Sequence, residues 1–305
     1  MRFVGVFNRD GGTFRTMDMD QFSADATRIL AEHGHSIDID LVAGKDLIPA
    51  LAAAVSRKDV DALLAGGGDG TISAAAGAAF RSGMPLAVLP AGTMNLFARS
   101  LHLPLDLPGA LAAIGAGEIR GVDIASANGK PFVHQYSVGI HTRLVRLREK
   151  MTYRSRLGKI AASLHAVLLA IRRPPRFRAE IRSKRGLESR QCSAIIVSNN
   201  PFGEGHIPHA DGLDGGVLGV YIAAPMQPRE LAKLSVDVML GSWKASPLVA
   251  EQEVQQVSLN FPHKKSSAQA TIDGELVPLE TRVDLKIHPG ALKVIAPAAI
   301  VSAAA

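Results

Sequence analysis

The run Leu63-Leu-Ala-Gly-Gly-Gly-Asp-Gly-Thr71 constrains this chain more than any other segment. An apolar stretch of strand length passes through three glycines and reaches a helical pattern beginning near Ile72. Glycines let the backbone approach a ligand closely, and the free N–H groups of a helix start attract an anion. Asp69 puts a carboxylate where a phosphate-bound divalent cation would sit. The run is not a Walker A loop, because Gly-x4-Gly-Lys-Ser/Thr is absent, and it lacks the glycine spacing of a dinucleotide fingerprint. Taken alone, it is either a phosphate loop of another kind or an ordinary glycine-rich turn.

Its surroundings favour a parallel sheet. The first ~120 residues alternate short apolar runs with amphipathic stretches, as βαβ units do. The pattern predicts strands at 3–8, 36–42, 62–65 and 86–89, and helices at 19–33, 46–57, 72–81, 95–100 and 108–116. After Gly121 the texture becomes strand-rich, with candidates at 191–198, 217–222, 254–261, 268–273, 283–288 and 291–295. The expected fold class is α/β plus β: a nucleotide-binding α/β domain over residues 1–123 and a sandwich-like β-rich domain over 124–290. A final segment, 291–305, is placed as a possible return to the first domain. At 305 residues and 47% hydrophobic, the chain can bury two cores.

Charge is unevenly spread. Residues 143–190 hold fifteen Lys/Arg against three Glu, while the whole chain carries a net +6, so the remainder is net acidic. Such a block suits an anionic surface, membrane or nucleic acid, or else a solvated face. Nucleic acid is disfavoured, because Tyr153 and Phe177 are too few aromatics for a stacking platform. Within the block, the apolar run 160–171 is too short for the ~20 residues a spanning helix needs, leaving a core or interfacial helix. The opening residues lack the apolar stretch of a secretory leader, and a single cysteine, Cys192, suits a reducing compartment. The expected location is the cytoplasm with peripheral membrane association, and Cys192 reads as inert core rather than nucleophile.

Two further segments carry polar chemistry. Leu89-Pro-Ala-Gly-Thr-Met-Asn-Leu-Phe-Ala-Arg99 places Gly92, Thr93 and Asn95 at a strand-to-helix junction, where hydroxyl and amide can meet a phosphate or ribose. An N-cap threonine explains the same residues. Ala270-Thr-Ile-Asp-Gly-Glu275 reads as a tight turn with a carboxylate at its tip, or as a solvated turn.

Together these segments resemble the diacylglycerol kinase catalytic-domain family, which includes bacterial lipid kinases and sphingosine kinases and is related to the NAD kinases. The resemblance covers nearly the whole chain. The family's first nucleotide loop corresponds to Asn8-Arg-Asp-Gly-Gly12, so Asn8, Gly11 and Gly12 are implied as nucleotide contacts. Gly67, Gly68, Gly70, Thr71, Gly92, Thr93 and Asn95 are implied to cradle the nucleotide, Asp69 to hold a catalytic Mg²⁺ on ATP, and Glu275 to act as general base. The turn His209-Ala-Asp-Gly-Leu-Asp-Gly-Gly-Val217 is similar to a structural metal site, with Asp214 giving a carboxylate, Asp211 and Gly216 carbonyls, and Asp123 a link through water. The chain departs from the family at Ala43, Ser73 and Leu96, where Thr, Asn and Asp are usual.

The resemblance implies an ATP-dependent kinase of a membrane-lipid hydroxyl, diacylglycerol leading, with the β-rich domain over 124–290 binding the lipid and the active site in the cleft between the two domains. An NAD kinase-like enzyme and a catalytically degenerate nucleotide- or lipid-binding module are the alternatives. The departures favour the module, and intact Asp69, Thr93 and Glu275 oppose it. Lipid identity leaves no short motif, and oligomeric state leaves none either, so a homodimer stays open.

Overall fold

The structure, a computed structural model, describes residues 1–149, 174–204 and 208–297. Residues 150–173 of the basic block, the apolar run 160–171 among them, lie outside the described residues. Chain contacts define two units. The first holds Met1–Ile124, Asp211–Gly215 and the chain from His288 onward, and the second holds Ala125–Ala210 and Gly216–Ile287.

The first unit is built on parallel strands. β1 (Arg2–Asn8) pairs with both β2 (Ser36–Val42) and β3 (Ala62–Gly67), and β3 pairs with β4 (Leu86–Pro90). Val294 and Ile295, at the end of β16 (Arg282–Ala296), pair in parallel with Leu86 and Ala87 of β4. All six residues of β3 are buried, as expected of a central strand with both faces covered. Helices α1 (Met19–Glu32), α2 (Leu47–Ser56), α3 (Asp69–Ser82), α4 (Leu96–Ser100) and α5 (Leu107–Gly115) fill the connections. Their starts follow local chemistry: the Asp18 carboxylate accepts from Asp20 N and Gln21 N, and the Asp106 carboxylate accepts from Gly109 N. α3 closes on Gly83 at φ +75°, a left-handed cap that glycine adopts without strain.

The spatial order β2-β1-β3-β4 reverses direction between β1 and β3. In open α/β sheets, ligands bind outside the carboxyl ends of the strands at such a reversal. Those ends here are Asn8 and Gly67, where the first and second glycine-rich loops begin.

The second unit is a two-sheet sandwich. One sheet is antiparallel in the order β12 (Val249–Val254), β11 (Leu218–Ala223), β10 (Ala194–Asn199), β7 (Gln135–Gly139), β14 (Gln269–Ile272), β15 (Glu275–Pro278). The other pairs the first half of β16 with β13 (Gln256–Asn260), then β8 (Phe177–Ser183) and β9 (Gly186–Cys192). Tyr136, Val138, Ile195, Val197 and Val220 from one sheet share a buried cluster with Ile181, Leu259, Val283 and Leu285 from the other. That shared interior is what alternating strands predict for sheets packed face to face.

Several expected boundaries shift. Residues 191–198 form two strands, not one, broken at Ser193, whose N–H donates to Ala223 O and whose carbonyl accepts from Ile140 N. Residues 254–261 likewise divide at Gln255, sending β12 and β13 to different sheets. The candidates 283–288 and 291–295 fuse into the single strand β16. The helix Pro228–Leu240, closed by a capping box between Gln227 and Glu230, escaped the strand-centred reading of this half. Asp211–Gly215 groups with the α/β unit rather than the β-rich one, because Asp123 N donates to Leu213 O and His102 Nε2 contacts Asp211 O.

Cys192 is buried, and burial pushes its thiol up to about 11, so it stays protonated and a poor nucleophile at neutral pH. Among the described residues no helix is long and apolar enough to cross a membrane.

Candidate active-site loops

In the first unit, the loops after β1, β3 and β4 converge at backbone distance. Thr13 N donates to Ala91 O at 2.7 Å, and Ala91 N donates to Gly67 O at 3.1 Å. Gly12 sits at φ +54°, and a Cβ there would lie 1.7 Å from Ala91 O. A Cβ on Gly92 would lie 2.7 Å from Gly68 Cα. No side chain fits at either contact, which is the physical reason for glycine at both positions.

Side chains lock the loops. Asn8 Nδ2 donates to Thr71 Oγ1 at 3.1 Å, while Asn8 Oδ1 accepts from Asp10 N. The Asp10 carboxylate accepts from Gly44 N at 2.8 Å, tying in the turn beside Ala43. Asn95, at φ +53°, closes its own loop, accepting from Gly92 N and donating to Gly92 O. The half-buried Asp69 accepts from Asn95 N at 3.1 Å and from Leu96 N at 2.6 Å, capping α4 from the first turn of α3. With Leu96 in place of an aspartate, the loop is held through its backbone by Asp69 instead.

The residues predicted for the nucleotide therefore divide by availability. Asn8, Asn95 and Gly11, whose N–H donates to Asn8 O, serve the loops' own geometry. Gly68, Gly70 and Thr93 are accessible at the surface, and Thr71 is buried against Gly67. No side chain caps the N-terminus of the fourteen-residue α3, whose first N–H groups lack intrahelical acceptors. An anion placed there meets both those donors and the positive end of the helix dipole.

Of the turn proposed for metal, Asp211–Gly215 lies in this unit and Gly216 falls in the second. Asp123 is buried, and its carboxylate accepts from Gly290 N at 2.9 Å. Asp211 and Asp214 are exposed in the loop that Leu213 anchors to Asp123. The available donors are oxygens, which suit Mg²⁺, and a carbonyl such as Asp211 O, although contacted by His102, keeps a second lone pair. Among the described residues, no three His, Cys, Asp or Glu side chains cluster as a metal site. A site here would rest on carbonyls and water beside one carboxylate.

In the second unit, β14 and β15 form a hairpin whose two-residue loop is Asp273-Gly274, at φ +47° and +85°. Asp273 accepts from Val133 N, His134 N and Gln135 N at 3.0, 2.9 and 2.9 Å, and its own N–H donates to Gln135 O. Glu275 follows at the start of β15, exposed and without a hydrogen bond or ion pair among the described residues. The sequence marks the turn and the projecting carboxylate. Asp273's role on three amides of a loop about 140 positions away was invisible to it.

A chain with glycine-lined anion loops on a parallel α/β sheet, followed by a β-sandwich bearing a projecting carboxylate, has the make-up of a phosphotransferase. The comparisons give the family. Residues 2–127 match the diacylglycerol kinase catalytic domain, and residues 135–296 match the YegS C-terminal NAD kinase beta sandwich-like domain. The chain belongs to the diacylglycerol kinase-like lipid kinase family. It is 28% identical over 232 residues to a diacylglycerol kinase of Staphylococcus saprophyticus, covering 73% of each chain. It is 26% identical over 264 residues to an uncharacterized protein of Synechocystis, covering 83% of this chain and only 59% of that longer protein. A crystal structure titled a diacylglycerol kinase from Bacillus anthracis shares the fold, with TM-score 0.71, 17% identity and 98% of both chains covered.

Asp69→Asn is expected to weaken ATP binding and lower thermal stability together. One acceptor oxygen becomes a donor facing the N–H groups of Asn95 and Leu96, a loss of roughly 1–3 kcal/mol. A melt and a nucleotide titration check it. Unchanged melting with weakened ATP binding would separate Asp69 from the loop.

Proposed function

We propose that this protein transfers the γ-phosphoryl group of ATP to the hydroxyl of a membrane lipid, with diacylglycerol the leading acceptor. The observation that carries the reading is the convergence of three glycine loops on the N-terminus of α3, in a chain of the lipid kinase family. The loops and helix start bind the triphosphate. The acceptor hydroxyl oxygen attacks the γ-phosphorus, the bond to the β–γ bridging oxygen breaks, and ADP leaves. Glu275 takes the hydroxyl proton as the new P–O bond forms, its carboxylate being exposed at the start of β15. Asp69 is the residue to hold a divalent cation on the phosphates. That ion would neutralise charge on the transferring group.

A radiolabelled-ATP assay in mixed micelles tests the reading, with diacylglycerol, monoacylglycerol, sphingosine, ceramide, phosphatidylglycerol and NAD as acceptors. Lipid phosphorylation supports it. Label entering NAD alone would favour the NAD kinase-like alternative, and no transfer to any acceptor the binding module.

Asp214 and the carbonyls of Asp211 and Gly216 are proposed to hold a second, structural Mg²⁺. Added Mg²⁺ is then expected to raise the melting temperature of the wild type but not of Asp214→Ala, because a ligand that binds only the folded state stabilises it. An equal rise in both would remove Asp214 from the site.

Access to a bilayer substrate is proposed to rest on the basic segment, whose described part includes Arg182, Lys184 and Arg185, all exposed around the β8–β9 turn. Each basic residue near an anionic surface contributes roughly 1 kcal/mol, and the effect is screened at high salt. Vesicle co-sedimentation should show binding to anionic but not neutral vesicles, weakened by salt and by charge reversal of these three residues. Salt-insensitive binding to both vesicle types would refute electrostatic docking.

A further inference from the structure

Beside the hairpin that carries Glu275 lies a polar cluster that none of the steps above uses. Side chains alternate along β7: Tyr136 and Val138 join the sandwich core, while Gln135 and Ser137 are buried on the opposite face. Thr271 of β14 stands directly across from Ser137, shares that face and is buried as well. The helix α6 (Ile140–Glu149) follows β7 without a linking residue and packs against β7, β14 and β15. Its second residue is His141, half-buried. His141 Nδ1 lies 2.8 Å from Ser137 Oγ and 3.3 Å from Thr271 Oγ1, and the two hydroxyls bond each other. Gln135 Nε2 lies 3.2 Å from His141 Nε2. With that amide donating to Nε2, the neutral imidazole carries its proton on Nδ1 and donates it to a hydroxyl.

A Ser–His pair invites a nucleophilic reading, but Ser137 has no exposed surface, so a substrate cannot reach its Oγ. The connections of the cluster point elsewhere. Gln135 is also the residue whose backbone N–H donates to the Asp273 carboxylate and whose carbonyl accepts from Asp273 N. His141 therefore reaches the β14–β15 hairpin twice, at Thr271 directly and at the turn through Gln135. Glu275 pairs with Ile272, between those two points. The Glu275 side chain has no hydrogen bond or ion pair among the described residues, so the hairpin backbone alone sets where its carboxylate stands. We infer that His141 is a positioning residue for Glu275, stapling the hairpin to β7 and α6 so that the carboxylate is held where the acceptor hydroxyl loses its proton. The inference rests on the reading of Glu275 as the general base. It adds a second anchor to the one that Asp273 supplies.

Micelle assays of the full chain test this, with hydrogen–deuterium exchange and a melt on each variant. His141→Phe keeps a ring and removes both nitrogens. Its kcat should fall at least tenfold, up to the ~10²-fold that a misplacement of about 1 Å costs, with the KM for ATP unmoved. Amides of residues 270–278 should exchange faster, while those of β11 and β12 hold. His141→Asn, whose amide can stand where Nδ1 stands, should recover most of the rate. Thr271→Val, which loses only the hydroxyl on the hairpin, should lower kcat in the same direction and keeps the test open if the phenylalanine variant folds poorly. In the Glu275→Gln background, His141→Phe should cost less than a further factor of about two, because residues acting as one unit are not additive. Wild-type kcat in both His141→Phe and Thr271→Val would overturn the inference. So would a fully additive loss in the double variant, or a fall in kcat with hairpin exchange unchanged. If Glu275→Gln loses activity and the His141 variants do not, only this inference fails. If Glu275→Gln stays within tenfold of the wild type, or the wild type transfers phosphate to no acceptor, the base reading fails and takes the inference with it.

Discussion

Glu275→Gln is expected to lower lipid phosphorylation by roughly 10²–10⁴-fold, the range a positioned general base contributes. Its ATP affinity and melting temperature should match the wild type. Glutamine keeps the size of glutamate and removes only its ability to take a proton. Glu275 is exposed and has no partner among the described residues, so the substitution breaks no contact that supports the fold. A drop in kcat without a change in stability is therefore the signature of chemistry at this side chain. Initial rates in mixed micelles, a nucleotide titration and a melt give the three readouts. Activity within tenfold of the wild type would remove Glu275 from proton transfer and pass the role to another group.

The α/β half was legible because its signals are local. Each strand runs into a glycine or polar turn, and α1 and α5 begin at capping aspartates, so the predicted and observed elements differ by a few residues at most; α3, for instance, starts at Asp69 rather than Ile72. The β-rich half was less legible because strands there change sheets within one or two residues. Ser193 and Gln255 each interrupt what reads as a continuous apolar run, and only tertiary hydrogen bonds mark the break. The same limit applies to the site. Gly67–Thr71 and Glu275 announce themselves by composition, but Asp10 reaching Gly44 and Asp69 reaching Leu96 join segments about 30 positions apart. The sequence offered Asn8 and Asn95 as ligand contacts, whereas the structure spends their side chains on loop geometry. Short polar side chains beside glycine loops can serve either purpose, and spacing alone does not choose.

Asp273→Asn should destabilise the β-rich unit and impair catalysis at a distance from the proton transfer itself. The Asp273 carboxylate accepts three backbone N–H groups, from Val133, His134 and Gln135, and a hydrogen bond to a charged group contributes about 1.5–3 kcal/mol. The amide keeps one oxygen and turns an NH₂ toward donors, so a loss of about 3 kcal/mol is expected, close to a 10 °C fall in the melting of a unit this size. Asparagine tolerates the φ of +47° at this position, so the comparison isolates the carboxylate. Asp273→Ala should fall further, because alanine adds the steric cost of a left-handed residue, roughly 1 kcal/mol more. The hairpin carries Glu275 two residues on, and loosening its anchor should reduce kcat while leaving the KM for ATP unchanged. Glu275→Gln moves the rate alone. Asp273→Asn should move rate and stability together, and restoring stability with a folded-state ligand should recover part of the rate. A variant that melts like the wild type would show that water replaces the carboxylate at these amides, and that Glu275 is positioned by the β14–β15 ladder without it.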